Sequence, residues 1–294
     1  MAASRALRVR CPAKINLGLW ILGRRPDGYH EIDTVMQTVS LEDELLLEEA
    51  REGFALETRG LPIPGEPNIL QRAWALLTLR NPSRGVRVRL TKRIPVAAGL
   101  GGGSSDAAGF LLGANRLLAL DRSGEELRSL AAQLGSDVPF FLKGGTARAT
   151  GRGDQVRHLC PAPPAWIVLA TPPLAISTTW AYGRARIRLT PGGRDGSILA
   201  AAIGSNEWDS IAPHFHNDFE DVVLPEFEMV AGLRRALDAS GVLGSLLSGS
   251  GSTVFGLALT RDEAQSAANS AASLGASVHV VRTTERGVAL AELT

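Results

Sequence analysis

Four glycines in five positions, Gly99, Gly101, Gly102 and Gly103, lead into Ser104 and Ser105 and then into a helical run. Such a turn lets the backbone swing sharply and approach a ligand with no side chain in the way. The helix that follows offers unpaired amides and the positive end of its dipole, which favours a phosphate group. Ser104 or Ser105 can cap the helix when the turn is empty, and either can reach a phosphate. A plain glycine turn with a serine cap is the bland alternative, and the density of glycine argues against it. Two common designs are excluded. A P-loop needs lysine after its last glycine, and a dinucleotide fingerprint needs a third glycine; Ser104 stands at both places.

The chain has 294 residues, room for one large domain or two ordinary ones. With 45% hydrophobic and 21% charged residues it has the balance of a soluble globular protein. A net charge of +1 gives no electrostatic reason to expect nucleic acid, whereas a small anion needs only local positive potential. Cys11 and Cys160 lie far apart, in neither a metal-ligand spacing nor a secreted disulfide framework. Residues 1–10 lack the apolar core of a signal peptide. Apolar runs break before the roughly 18 residues of a membrane span. The expected location is the cytoplasm, with no membrane partner.

Leu7, Val9 and Cys11, then Ile15, Leu17, Leu19 and Ile21, alternate with other residues at the period of half-buried strands, and Pro12 marks a bend or edge between them. Asp27-Gly28 is a turn signal. Strand character returns over 31–49 and at Val86, Val88 and Leu90, with a helix capped by Asn68 between them. Helices are predicted over 106–120 and 125–134, the second ending at Gly135. The proline-rich stretch 161–164 divides the chain into lobes at 1–160 and 161–294. Beyond it come a strand over 166–170, a helix over 225–239, and a strand, helix and strand over 252–259, 262–274 and 278–281. No steady βαβ rhythm emerges, so the predicted fold class is α+β, with mixed or antiparallel sheets, packed helices and a cleft between two lobes.

Three motifs carry a family resemblance. Pro95-Val96-Ala97-Ala98-Gly99-Leu100-Gly101-Gly102-Gly103-Ser104-Ser105 resembles the middle motif P-x-x-x-G-L-G-x-S-S of the GHMP kinases, named after galacto-, homoserine, mevalonate and phosphomevalonate kinases, with one more glycine. Pro12-Ala13-Lys14-Ile15-Asn16-Leu17 resembles the first motif, and residues 248–255, SGSGSTVF, the third. The order agrees over nearly the whole chain. The fullest match is to the branch acting on a cytidine diphosphate-linked methylerythritol: residues 12–30 read PAKINLGLWILGRRPDGYH, residues 135–140 GSDVPF, and Asn217-Asp218-Phe219-Glu220 is similar to an element of the second lobe. Residues 184–210 match loosely.

The resemblance implies phosphorylation, by ATP with magnesium, of that substrate's 2-hydroxyl, a step of the non-mevalonate route to isoprenoid precursors, by a monomer or homodimer. The motif residues 95–105 then hold ATP. Asp137 is the base that takes the hydroxyl proton, although its plain alternative is a helix cap. Lys14, otherwise a solvated strand lysine, becomes its partner against developing charge, and Asn16 a hydrogen-bonding group for substrate. Tyr29 and His30 are set against cytosine, one stacking and one hydrogen bonding. Tyr182 supplies the opposite face, with Trp180 as a rival. Asn68 and Lys92 border the adenosine end, with a helix cap and a surface charge as their alternatives. Gly249, Ser250 and Gly251 form a second tight loop that closes the site. His214 and His216 lack a third ligand, so no protein-bound metal is assigned. Another GHMP kinase, acting on mevalonate, homoserine or a sugar, is the nearest alternative, and residues 27–30 argue against it because those substrates carry no nucleobase. A non-catalytic nucleotide-binding protein is expected to have lost Lys14 or Asp137, and both are present.

Overall fold

The computed structural model describes residues 5–62, 68–78, 84–185 and 195–293. The start of the 1–10 stretch and part of the loosely matched 184–210 stretch lie outside the described residues. The chain opens with a long hairpin, β1 (Ala6–Arg24) and β2 (His30–Ala50). Its turn forms because the Asp27 carboxylate accepts from the Tyr29 amide at 3.1 Å while Gly28 takes a φ of 86°. Pro12 does not divide β1 into two strands. A register shift between Pro12 and Ala13 absorbs the irregularity, with further shifts at Asn16/Gly18 and Ile21/Gly23.

The first half continues through β3 (Phe54–Gly60), α1 (Ile69–Thr78), β4 (Gly85–Lys92), α2 (Gly102–Leu117), α3 (Gly124–Leu134), α4 (Val138–Phe141), β5 (Thr146–Gly151) and β6 (Gln155–His158). The second holds β7 (Trp166–Thr171), α5 (Thr178–Arg184), α6 (Ser197–Ala202), α7 (Trp208–Ile211), β8 (His216–Asn217), α8 (Glu220–Glu226) and α9 (Glu228–Ala239). It ends with β9 (Gly244–Leu247), β10 (Val254–Ala258), α10 (Arg261–Ala272), β11 (Ser277–Arg282) and β12 (Ala289–Leu293).

One sheet runs β12-β1-β2-β4-β3, with β5 on β2, β6 on β5 and β8 on β1; the other is four-stranded, β11-β7-β10-β9. Both contain antiparallel pairs, while β3 pairs β4 and β8 pairs β1 in parallel. This is the mixed α+β architecture. The second half is not self-contained, because β8 and β12 return to pair with β1.

Helix α2 sits close on the hairpin. A Cβ at Gly109 would stand 2.4 Å from Cys11 Sγ, and one at Gly113 2.5 Å from Leu47 Cδ1, so these glycines let the helix touch the sheet. Val9, Leu45, Leu47, Val86, Val88 and Phe110 form the buried centre of that contact.

Two predicted helices change. Helix α2 starts at Gly102 rather than 106, so Gly102, Gly103, Ser104 and Ser105 form its first turn. The predicted 225–239 helix is two helices, because Phe227 leaves the helical region at φ −123°, ψ 85°. Gly135 ends α3 as predicted, in an extended conformation (φ 172°).

Candidate active site

Both halves of the chain line a cavity of about 980 Å³. The glycine turn, the Tyr29–His30 segment, Lys14, Asn16 and Asp137 all line it. Asn68, Lys92, residues 95–104, Gly249 and Ser250 line it as well. Ser105 and Gly251 do not reach it. Ser105 is fully buried behind the turn.

In the glycine turn neither serine caps α2: the N-cap is Gly101, in the left-handed region at φ 70°. A Cβ there would lie 2.8 Å from the Phe141 ring and 3.0 Å from Lys14 Cγ. Gly101 is therefore required by the packing behind the turn. Gly103 is the glycine that faces open space, with nothing within 4 Å of a Cβ. Asn68 does cap α1, its side-chain oxygen accepting from the Leu70 amide at 2.9 Å.

The second glycine turn docks on the first. Ser248 Oγ donates to the Gly99 carbonyl at 3.0 Å, and the Thr253 amide donates to Ala98 at 3.2 Å. Asn217 Nδ2 holds the loop from below through the carbonyls of Leu247 (2.7 Å) and Gly249 (2.8 Å). Asp218 anchors the same segment to β1 by accepting from the Ile21 amide at 2.6 Å. This explains the Asn217-Asp218-Phe219-Glu220 motif as a brace.

Lys14 is buried at 4% exposure and donates to Asn16 Oδ1 at 2.5 Å. Asn16 in turn donates to Thr34 Oγ1 at 2.8 Å, and Thr34 to the Gly18 carbonyl at 2.6 Å. This chain fixes the ammonium 3.6 Å from Asp137 Oδ2. Asp137 precedes α4, yet among the described residues its side chain makes no capping hydrogen bond. The carboxylate faces the cavity and Lys14.

The His30 and Tyr182 rings, which also line the cavity, stack on each other, centroids 4.7 Å apart and 22° from parallel. Tyr182 leans edge-on against Phe219. Tyr29 is exposed, with the Arg152 guanidinium 4.9 Å above its ring. Trp180 packs on Phe227 instead and does not line the cavity. Burial, and then the Arg24 charge, pull the His30 pKa down, which favours a neutral imidazole with one donor and one acceptor nitrogen. Burial, followed by Asp137, pushes the Tyr182 hydroxyl up, so it stays protonated.

Lys92 is not a surface charge. It is buried between Asp43 and Asp106, donating to both, at 2.8 Å for Asp106. Burial pulls its pKa down, but the two carboxylates prevail and the net shift is upward. Asp43, Asp106, Thr34, Arg24 and Arg152 escaped the sequence reading. Asp106 directly follows the serine pair, the one local signal among them.

His216 Nε2 lies 2.7 Å from Asp218 Oδ1 and its ring stacks on Trp20, which accounts for it structurally. Among the described residues no helix is long and apolar enough to cross a membrane.

A glycine turn at a helix N-terminus, a lysine–carboxylate pair and a two-sheet scaffold meet in this cavity. The description "GHMP kinases N terminal domain" matches residues 68–145, and "GHMP kinases C terminal" matches 195–277. The chain belongs to the GHMP kinase family. It is similar to 4-diphosphocytidyl-2-C-methyl-D-erythritol kinase of Pelotomaculum thermopropionicum, 44% identical over 87% of this chain and 90% of that one. It also resembles a solved 4-(cytidine 5'-diphospho)-2C-methyl-D-erythritol kinase, with TM-score 0.81 and 36% identity over 94% of this chain and 98% of that one. Homoserine kinase from Cytophaga hutchinsonii shares the fold, with TM-score 0.68 and 19% identity over 97% of each chain.

Proposed function

We propose that the chain transfers the γ-phosphate of ATP to the 2-hydroxyl of 4-diphosphocytidyl-2-C-methyl-D-erythritol, a step towards isoprenoid precursors. The observation that carries the reading is the position of Lys14 and Asp137, in one cavity with a glycine turn and aromatic rings. The names of the relatives support the choice of substrate.

In this reading Asp137 accepts the hydroxyl proton, the freed oxygen attacks the γ-phosphorus, and the bond from phosphorus to the ADP oxygen breaks with its electron pair leaving on ADP. Phosphoryl transfer asks the protein mainly for positioning and charge stabilisation. Lys14, held by Asn16, supplies fixed positive charge beside the attacking oxygen. Magnesium arrives as part of the nucleotide substrate, with no protein ligand assigned. The His30 imidazole hydrogen-bonds cytosine, and the ring of Tyr29 or Tyr182 stacks on it. In this reading the enzyme draws on the ATP of the cytoplasm and works there.

The test is to offer purified protein ATP, magnesium and a panel of hydroxyl acceptors that includes mevalonate, homoserine and sugars, and to measure ADP release. Release driven by one of those three, and not by the cytidine compound, refutes the proposed substrate.

A further inference from the structure

Behind the glycine turn lies a buried charge cluster whose carboxylates the proposed reaction does not use. Asp43 (0% exposed) comes from β2, Lys92 (4%) from the end of β4 and Asp106 (2%) from α2. Cys11 of β1 adds a buried thiol, held protonated by burial and then by the Asp106 and Asp43 charges.

The two carboxylates are unequally served. Asp43 accepts from Lys92 and from the amides of Arg93 (2.6 Å) and Ile94 (2.9 Å). Asp106 accepts from Lys92 through Oδ2 alone, and its buried Oδ1 has no partner among the described residues. With both carboxylates ionised the cluster carries one excess negative charge, and it falls on the poorly served Asp106. An orphaned buried charge is costly, and phosphates on the turn ahead of it add repulsion in a medium that screens weakly.

We propose that Asp106 is a positioning residue for the phosphate donor: as nucleotide phosphates settle on the glycine turn, Asp106 takes up a proton, the cluster becomes neutral, and Lys92 and the first turn of α2 keep their places. This rests on reading the turn as the donor site. The balance is simple, one proton from solvent to the Asp106 carboxylate, with Asp43 placed to share it by a hydrogen bond. Burial raises the Asp106 carboxyl to about 7, with Lys92 opposing and Asp43 adding, so the proton lies within reach at physiological pH.

The test is calorimetry of a magnesium-bound, non-hydrolysable ATP analogue binding at about pH 8, in two buffers of different ionisation enthalpy. The wild type should take up a substantial fraction of one proton, and its dissociation constant should rise above neutrality by up to about tenfold per pH unit. Asp106→Asn, nearly isosteric, should bind the analogue with that uptake abolished and with a flat pH profile. A merely structural aspartate would leave the proton count unmoved. Wild-type binding without uptake overturns the proposal whether or not the variant folds, and so does undiminished uptake in Asp106→Asn. Failure of the wild type to bind the analogue removes the donor-site reading as well, which distinguishes the two failures.

Discussion

Ser248 donates its hydroxyl proton to the Gly99 carbonyl, so two glycine turns 149 residues apart in sequence share a hydrogen bond. Asn217 completes the junction by holding the carbonyls of Leu247 and Gly249. Buried carbonyls that lose their donor cost roughly 1–3 kcal/mol. Asn217→Ala is therefore expected to lower unfolding stability by about that amount and to lower turnover, because the second turn loses its brace. Denaturant midpoints and ADP release check this. Unchanged stability would mean that water or the Ser248 bond alone maintains the junction.

The lack of a capping bond at Asp137 makes its replacement a clean probe. Asp137→Asn is expected to keep the melting temperature and nucleotide binding while turnover falls by roughly 10²–10⁴-fold, the scale of a positioned acid or base. Near-normal turnover removes Asp137 from the chemistry.

The strands were legible because alternation reports burial directly: Val86, Val88 and Leu90 are all buried as their spacing predicts. The start of α2 was not. Glycine is a poor helix former, so 102–103 read as loop, and only Gly101 and the packing on Phe141 and Lys14 commit them to a helix. Asp43 was hidden among the acidic residues of a strand, where carboxylates usually face water. Its burial follows from Lys92, 49 residues away. Trp180 and Tyr182 could not be separated by sequence because they occupy one short helix. Packing on Phe227 and Phe219 sends them to different places.

The two ends of the glycine turn should respond differently to added bulk. Gly101→Val must adopt a left-handed φ and meet Phe141, so it is expected to lower stability and nucleotide binding together. Gly103→Val projects into open space and is expected to weaken ATP binding about tenfold or more without lowering stability, because valine is a better helix former than glycine. Thermal melts beside nucleotide titrations separate the two. Full nucleotide affinity in Gly103→Val would place the phosphates elsewhere.

The Asp106 carboxyl also has a consequence for stability. Its folded value, raised by burial from 3.8 to about 7, exceeds the unfolded one. The unfolded chain thus releases this proton at lower pH, and the stabilisation is complete below about pH 4 and is lost as pH rises through neutrality. Asp106→Asn has no such proton. The melting temperature of the variant minus that of the wild type should therefore become more positive between about pH 5.5 and 8. A constant difference across that range would mean that Asp106 stays ionised throughout.

The stacked His30 and Tyr182 rings bear on substrate identity. If this pair receives cytosine, the base contributes binding energy far from the reacting hydroxyl, and stacking on one aromatic ring is worth about 1–3 kcal/mol. A site that hydrogen-bonds a base also rejects an analogue that leaves its polar groups unpaired. Free methylerythritol 4-phosphate is accordingly expected to be a very poor substrate beside its cytidylated form. His30→Ala and Tyr182→Leu should each lower kcat/KM for the cytidine compound by roughly 10-fold or more while KM for ATP changes little. Tyr182 packs on Phe219, so its variant also needs a thermal melt to separate lost stacking from lost stability. Steady-state kinetics with both acceptors decide the matter. If the free sugar phosphate reacts as well as the cytidylated one, or if neither variant changes the kinetics, the base lies elsewhere and the kinase acts on a different acceptor.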